Sequence, residues 1–179
     1  MMREKYVVFD RDGTLIKHIP YLHDVDRVEL LPTVKESIEL LIENNCKLFL
    51  HTNQSGVSRK YFKLTDVTKC NNMMLELINL GNKLFVDICV ATDFPANKIT
   101  YRKPSPKFGL EIIEKYKIYK DQLFYVGDSI SDYETAVNIG CKFFGVNTGL
   151  IDLKSKKEEI IFDVSKSLLD VANKIINCN

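Results

Sequence analysis

The sequence predicts an α/β protein: a central, mostly parallel sheet of five to six strands with helices on both faces. Three observations carry that prediction. Apolar runs alternate with segments of helical period along the 179 residues. The runs are close to continuously apolar, as in strands covered on both sides. Each helical segment is long enough to form a crossover, which makes the strands it joins parallel.

The elements follow in order. Tyr6-Val7-Val8-Phe9 opens the first strand, over 6–10. Leu31-Pro32-Thr33 opens a helix with Val34, Ile38, Leu41 and Ile42 on one face. Residues 46–52 form the second strand. Thr65 caps a helix whose apolar face is Val67, Cys70, Met74, Leu77 and Ile78, and Gly81 ends it. The third strand is 84–91. Pro106 suits the first turn of a helix running to about residue 117. The fourth strand is 123–127. Ser131 and Glu134 have capping-box spacing before a short helix that stops at Gly140. The fifth strand is 142–146, and 160–162 reads as a short sixth. Ser165 starts a last helix with Leu168, Leu169, Ala172, Ile175 and Ile176 inward.

Length and composition set the class. One domain over 1–179 is the simplest organisation. Apolar residues make up 45% and charged residues 27%, as in ordinary globular proteins. A net charge of +1 gives no global basic field for nucleic acid. Cys46, Cys70, Cys89, Cys141 and Cys178 are scattered without a C-x-x-C pair, and read as reduced thiols, mostly buried. No signal peptide and no bilayer-long apolar stretch are found. The expectation is a cytoplasmic monomer without membrane contact.

Open α/β sheets bind ligands at the carboxyl ends of their strands, so chemistry is expected at those ends. Asp10-Arg11-Asp12-Gly13-Thr14 follows the first strand. Thr52-Asn53-Gln54-Ser55-Gly56 follows the second, and Arg102-Lys103-Pro104 comes after the third. Gly127-Asp128-Ser129 follows the fourth, with Asp132 one turn on. Alone, these segments read as polar turns, a solvated loop and a helix cap. Together, at successive strand ends, they suit phosphoryl transfer. Asp10 would attack phosphorus. Mg²⁺ would be held by Asp10, Asp128 and the backbone carbonyl of Asp12. Thr52 and Lys103 would hold the phosphoryl oxygens, and Asp12 would move the proton. Asp132 would orient Lys103 or a metal-bound water from behind.

This set resembles the haloacid dehalogenase superfamily of phosphatases, from Phe9 to about Val146. The resemblance implies a Rossmann-like fold of three layers. Its four motifs stand in order as Asp10-x-Asp12-Gly-Thr, Thr52, Lys103 and Gly127-Asp128-x-x-x-Asp132. The spacing between motifs leaves no room for a cap domain, so residues 16–26, 55–63 and 92–102 would shape an open site. Within the superfamily, the sequence is similar to the histidinol-phosphate and heptose-bisphosphate phosphatase branch. Asp-Arg-Asp-Gly-Thr, Tyr21-Leu22-His23-Asp24-Val25-Asp26, Thr52-Asn53-Gln54-Ser55-Gly56-Val57-Ser58-Arg59 and Arg102-Lys103-Pro104-x-Pro106 carry that likeness. It implies that substrate is touched by residues 18–21 (His18 and Tyr21 foremost), Asn53, Gln54, Ser55, Arg102 and Lys103. Arg11 and Ser129 join these as substrate-side candidates.

Two departures matter. Many branch members carry a zinc loop of Cys and His before Arg-Lys-Pro, but residues 91–101 contain neither, so no zinc is expected. Heptose-bisphosphate enzymes often have Lys where Ser129 stands. The expected substrate is a small phosphate ester, such as a sugar phosphate or histidinol phosphate. Val90-Ala91-Thr92 and Tyr101-Arg102-Lys103-Pro104 also resemble polynucleotide 3′-phosphatases, which keeps a nucleic-acid 3′ end as the alternative. Lys98, Arg102, Lys103 and Lys107 make only a modest basic cluster for it. A non-enzymatic phospho-accepting switch is a third class. Its acceptor Asp would follow the third strand, where Ala91-Thr92 stands instead.

Overall fold

Every apolar run of the sequence within the described residues joins one sheet. The structure, a computed structural model, describes residues 4–81, 83–94, 100–149 and 163–178. Along the chain lie β1 (Lys5–Phe9), α1 (Val34–Glu43), β2 (Cys46–Asn53), α2 (Leu64–Ile78), β3 (Phe85–Ala91) and α3 (Lys107–Tyr116). They are followed by β4 (Leu123–Gly127), α4 (Ile130–Ile139), β5 (Lys142–Val146), β6 (Asp163–Ser165) and α5 (Leu168–Ile176). The strand order is β3-β2-β1-β4-β5-β6, and every neighbouring pair is parallel. Among the described residues the segments between Asp12 and Lys103 hold only loops and the sheet's own helices and strands, with no cap domain.

Alternation of side chains divides the core in two. Val7, Phe9, Leu48, Leu50, Phe124 and Val126 face α1, α2 and α5. Val8, Phe49, Leu123, Tyr125 and Phe143 face α3 and α4 on the other side. The inner strands are thus covered twice, which is why they lack polar alternation. β3, at the sheet edge, departs from this expectation: Val86 and Ile88 are exposed.

Several helix details differ from expectation. Ile42 and Leu77 lie exposed, while Ser37 and Asn71 are buried in α1 and α2. Ser37 tolerates this because its Oγ donates to the Thr33 carbonyl one turn back. α2 starts a residue before Thr65, with Asp66 accepting from the Lys63 N–H, and stops at Asn79 in the left-handed region rather than at Gly81. The capping box of α4 is Ser129 with Asp132, not Ser131 with Glu134. The last helix is capped by Ser167, not Ser165, and buries Val171 where Leu169 was expected. For α4 and α5 the competing serine sits two positions away. The expected strand at 160–162 lies outside the described residues; β6 is seen at 163–165. No described helix is long and apolar enough to cross a membrane.

Leu41 is fully buried on α1, which packs on α5. Leu41→Ala is expected to lower unfolding stability by about 2–5 kcal/mol in urea titrations, through transfer and cavity terms together.

Candidate active site

The strand order places the reactive groups. From β1 the chain runs outward through β2 and β3, then returns to build β4, β5 and β6 on the other side. The order therefore reverses between β1 and β4, and a crevice opens at their carboxyl ends. Asp10 directly follows β1 and Asp128 directly follows β4, so the two acids stand at its lips. Thr52 closes β2, and Lys103 reaches in from the segment before α3.

Lys103 is the centre of a buried charge cluster. Its Nζ donates to Asp10 Oδ1 and Asp132 Oδ1, each at 2.5 Å. All three side chains are nearly inaccessible. Asp10, Asp128 and Asp132 each bring an oxygen within 4.8 Å of the others. Burial raises the Asp10 carboxyl most; Lys103 pulls it back, Asp132 and Asp12 push it up, and it rests at about 7. Burial, then the charges of Asp10 and Asp132, lift Asp128 to about 8. Burial works against the Lys103 ammonium, yet Asp10 and Asp132 hold it well above its usual value.

Three crowded carboxylates against one ammonium form an oxygen donor set that suits a hard divalent cation such as Mg²⁺. Both Asp132 oxygens are already engaged: Oδ1 by Lys103, and Oδ2 by the Ser129 N–H at 3.1 Å and hydroxyl at 2.6 Å. Asp10 and Asp128 are the better placed ligands, with Asp132 behind Lys103. Two glycines make space for Asp128. A Cβ at Gly149 would fall 1.6 Å from Asp128 Oδ2, and one at Gly13 would fall 2.3 Å from it. Gly13 also has φ +89°, where side chains are strained.

Asp12 lines the same space as Asp10 and Asp128 but has its own set of partners. Its carboxylate receives Arg11 Nε and Nη2, both at 3.0 Å, Gln54 Nε2 at 3.0 Å and the Thr52 hydroxyl at 3.3 Å. Beside it lies a cavity of about 250 Å³ whose lining includes His18, Tyr21, Asn53, Gln54 and Ser55. A second space of about 230 Å³ opens onto Asp10, Asp128, Lys103 and Ser129. The two share Asp12, His18 and Asn53, so they adjoin.

The structure thus brings together Asp10, Asp12, Thr52, Lys103, Asp128 and Asp132, and lines the adjoining space with His18, Tyr21, Asn53, Gln54, Ser55 and Ser129. Some of these groups have a partner already. Asn53 Oδ1 accepts the Lys103 N–H at 3.0 Å, and the Gln54 amide binds Asp12 and Thr52. Ser129 caps α4. Arg11 is the clear correction. It is fully buried and bonded to Asp12 and Asn71, so it cannot meet substrate. Arg102 is half-buried and lines neither space; its N–H, with those of Thr100 and Tyr101, is held by the Asp93 carboxylate. Lys98 and the rest of 95–99, counted among the rim and the basic cluster, lie outside the described residues.

Asn71, His51 and Gly149 went unnoticed in the sequence. Asn71 hides in an apolar helix face, and His51 sits in an apolar strand with no partner in the local sequence. His51 Nε2 donates to the Tyr101 carbonyl at 2.9 Å, next to Arg102 and Lys103. Its Nδ1 must then accept, from the Tyr125 hydroxyl at 2.9 Å.

Residues 17–146 match the haloacid dehalogenase-like hydrolase family. The chain belongs to this family. Among its relatives is histidine biosynthesis bifunctional protein HisB of Campylobacter jejuni subsp. doylei, 29% identical over 89% of this chain and 46% of its own length. The chain spans about half the length of the HisB proteins it matches. D-glycero-alpha-D-manno-heptose-1,7-bisphosphate 7-phosphatase of Campylobacter jejuni subsp. jejuni is 25% identical over 96% of both chains. The solved D,D-heptose 1.7-bisphosphate phosphatase of B. bronchiseptica, complexed with magnesium and phosphate, has a TM-score of 0.87 at 24% identity. It covers 96% of this chain and 98% of its own. The resemblance to the histidinol-phosphate and heptose-bisphosphate branch is borne out by these relatives, and the haloacid dehalogenase fold by the superposition.

Burial first, then the Lys103 charge, lowers His51 to about 4. Between about pH 6.5 and about pH 4 the unfolded chain binds a proton that folded His51 refuses. Stability is therefore present above that window and lost as pH falls through it. Thermal melts of wild type and His51→Gln across pH 7 to 4.5 are expected to show the steeper decline in wild type.

Proposed function

We propose that this chain is a Mg²⁺-dependent phosphomonoesterase of a small phosphorylated metabolite, acting through a phospho-aspartate on Asp10. The carrying observation is the Lys103 bridge: one ammonium fixes Asp10 at the mouth of the crevice, with Asp12 beside it on the same turn. Asp10 and Asp128, with the backbone carbonyl of Asp12, would hold Mg²⁺, which supplies positive charge to phosphate and nucleophile when bound.

The side chains divide the remaining work. Asp10 forms a bond to phosphorus as the bond to the alcohol oxygen breaks. Lys103, already 2.5 Å from Asp10, and the Thr52 hydroxyl steady the phosphoryl oxygens as charge shifts onto them. Asp12 delivers a proton to the departing oxygen. It then takes one from the water that releases phosphate from Asp10, which restores both acids. The adjoining cavity, with His18, Tyr21, Gln54 and Ser55, would receive the alcohol portion.

A sugar phosphate or histidinol phosphate is favoured by the relatives' names and by the near-neutral charge. A panel of sugar phosphates, histidinol phosphate and a 3′-phosphorylated oligonucleotide is expected to show turnover of a metabolite. Turnover of the oligonucleotide alone would reverse the ranking. Asp10→Asn is expected to remove measurable phosphate release, since an amide is a poor nucleophile; full activity in it would exclude the covalent route. EDTA should stop turnover and added Mg²⁺ restore it. Gly149→Ala is expected to weaken Mg²⁺ binding about 10–100-fold by displacing Asp128, measured by titration calorimetry, with the circular dichroism spectrum unchanged.

A further inference from the structure

We propose that Arg11 is a positioning residue: anchored by Asn71 of α2, it aims the Asp12 carboxylate at the leaving-group oxygen. The inference rests on the phosphatase reading above and extends it to two residues that touch neither substrate nor metal. Arg11 is fully buried although it lies between two site acids. Its guanidinium makes a two-pronged contact with Asp12, Nε to Oδ2 and Nη2 to Oδ1, both at 3.0 Å. The remaining nitrogen, Nη1, donates to Asn71 Oδ1 at 2.8 Å.

That geometry holds an orientation as well as a charge. A planar fork on both carboxylate oxygens sets the plane of the carboxylate, which a single ammonium would not. Neighbours on an extended strand would point to opposite faces, so the pair needs the turn after β1. There the Leu15 and Ile16 N–H groups close onto the Arg11 carbonyl at 2.9 and 3.1 Å. Asn71, itself buried, fixes the far end of the guanidinium to a helix packed on the sheet. Gln54 and Thr52 both donate to Oδ2. Oδ1 receives, among the described residues, only Arg11, and is the oxygen left to move the proton. Rotation of Asp12 by a fraction of an ångström would lengthen that transfer, and such misplacement is costly in rate.

Leaving groups separate aiming from mere structural support. An alkoxide needs a proton as it departs, whereas p-nitrophenolate does not. kcat/KM reports only the steps through transfer to Asp10. Its ratio between glycerol phosphate and p-nitrophenyl phosphate is independent of how much of a variant is folded. Asp12→Asn is expected to lower this ratio by about 10²–10³. Arg11→Lys, which keeps the charge and loses the fork, is expected to lower it about 10-fold, and Asn71→Ala about 3-fold. An unchanged ratio in both Arg11→Lys and Asn71→Ala, with Asp12→Asn still lowering it, overturns the positioning role and leaves the phosphatase reading intact. An unchanged ratio in Asp12→Asn overturns the acid role and the inference together.

Discussion

Burying a lysine among carboxylates is the constraint from which the rest of this site follows. Lys103 is held at 2.5 Å by both Asp10 and Asp132, and Asp128 stands in the same cluster. A single ammonium cannot balance three carboxylates in a low-dielectric pocket. The imbalance appears as proton affinity: Asp10 is raised to about 7 and Asp128 to about 8, burial being the largest cause in both. Carboxylates crowded in this way are neutralised by protons or, where one binds, by a divalent cation. They also repel a bare phosphate dianion until that charge is supplied. In the proposed mechanism Lys103 and a divalent cation would therefore have complementary tasks, one fixed by the chain and one supplied from solution.

The fold makes this cluster affordable. Asp10, Lys103 and the Asp128–Asp132 pair come from three separate segments, and the parallel arrangement brings them to one edge of the sheet. The inner strands are packed on both faces, so their ends have little freedom to move apart. Asn53 and His51, both from β2, hold the backbone of the Tyr101–Lys103 segment by side-chain hydrogen bonds. α4 contributes its first turn, where Asp132 both closes the capping box on Ser129 and receives Lys103. One carboxylate thus joins helix initiation to the catalytic cluster. Gly127 allows this, because a Cβ there would lie 2.4 Å from Asp132.

How much of this was legible depended on whether the information was local. Unbroken apolar runs such as Val7-Val8-Phe9 reveal strands covered on both faces, and the polar residues after them reveal a site. Asp10, Asp12 and Asp128 stand out because charge directly after an apolar strand has few structural uses, and Lys103 stands out through its Arg-Lys-Pro motif. Ser131–Glu134 offers the same capping-box spacing as Ser129–Asp132 two residues on, and only the position of β4 decides between them. Asn71 and His51 could not be recognised in this way. Each lies in an apolar segment, and its partner is fifty or more residues distant in sequence. Arg11 was misjudged for a related reason. A cation between two acids looks like a ligand for phosphate, and only the tertiary structure shows its guanidinium facing inward to α2.

In the proposed mechanism two carboxylates two residues apart have different duties, and their surroundings differ to match. Asp10 lies with Lys103 and two other acids at a nearly inaccessible strand end, where burial penalises its charge and a cation restores it. Asp12 sits one turn further, half-open to the cavity, and is held by a guanidinium, an amide and a hydroxyl. A nucleophile must keep a lone pair directed at one atom, and the Lys103 contact fixes Asp10 Oδ1 at the crevice. A proton carrier must alternate between two states at constant position, and a carboxylate gripped at both oxygens can change its proton without changing its place. The proposed difference in role therefore rests on the partners each acid meets, Lys103 for one and Arg11 for the other, and not on the acids themselves.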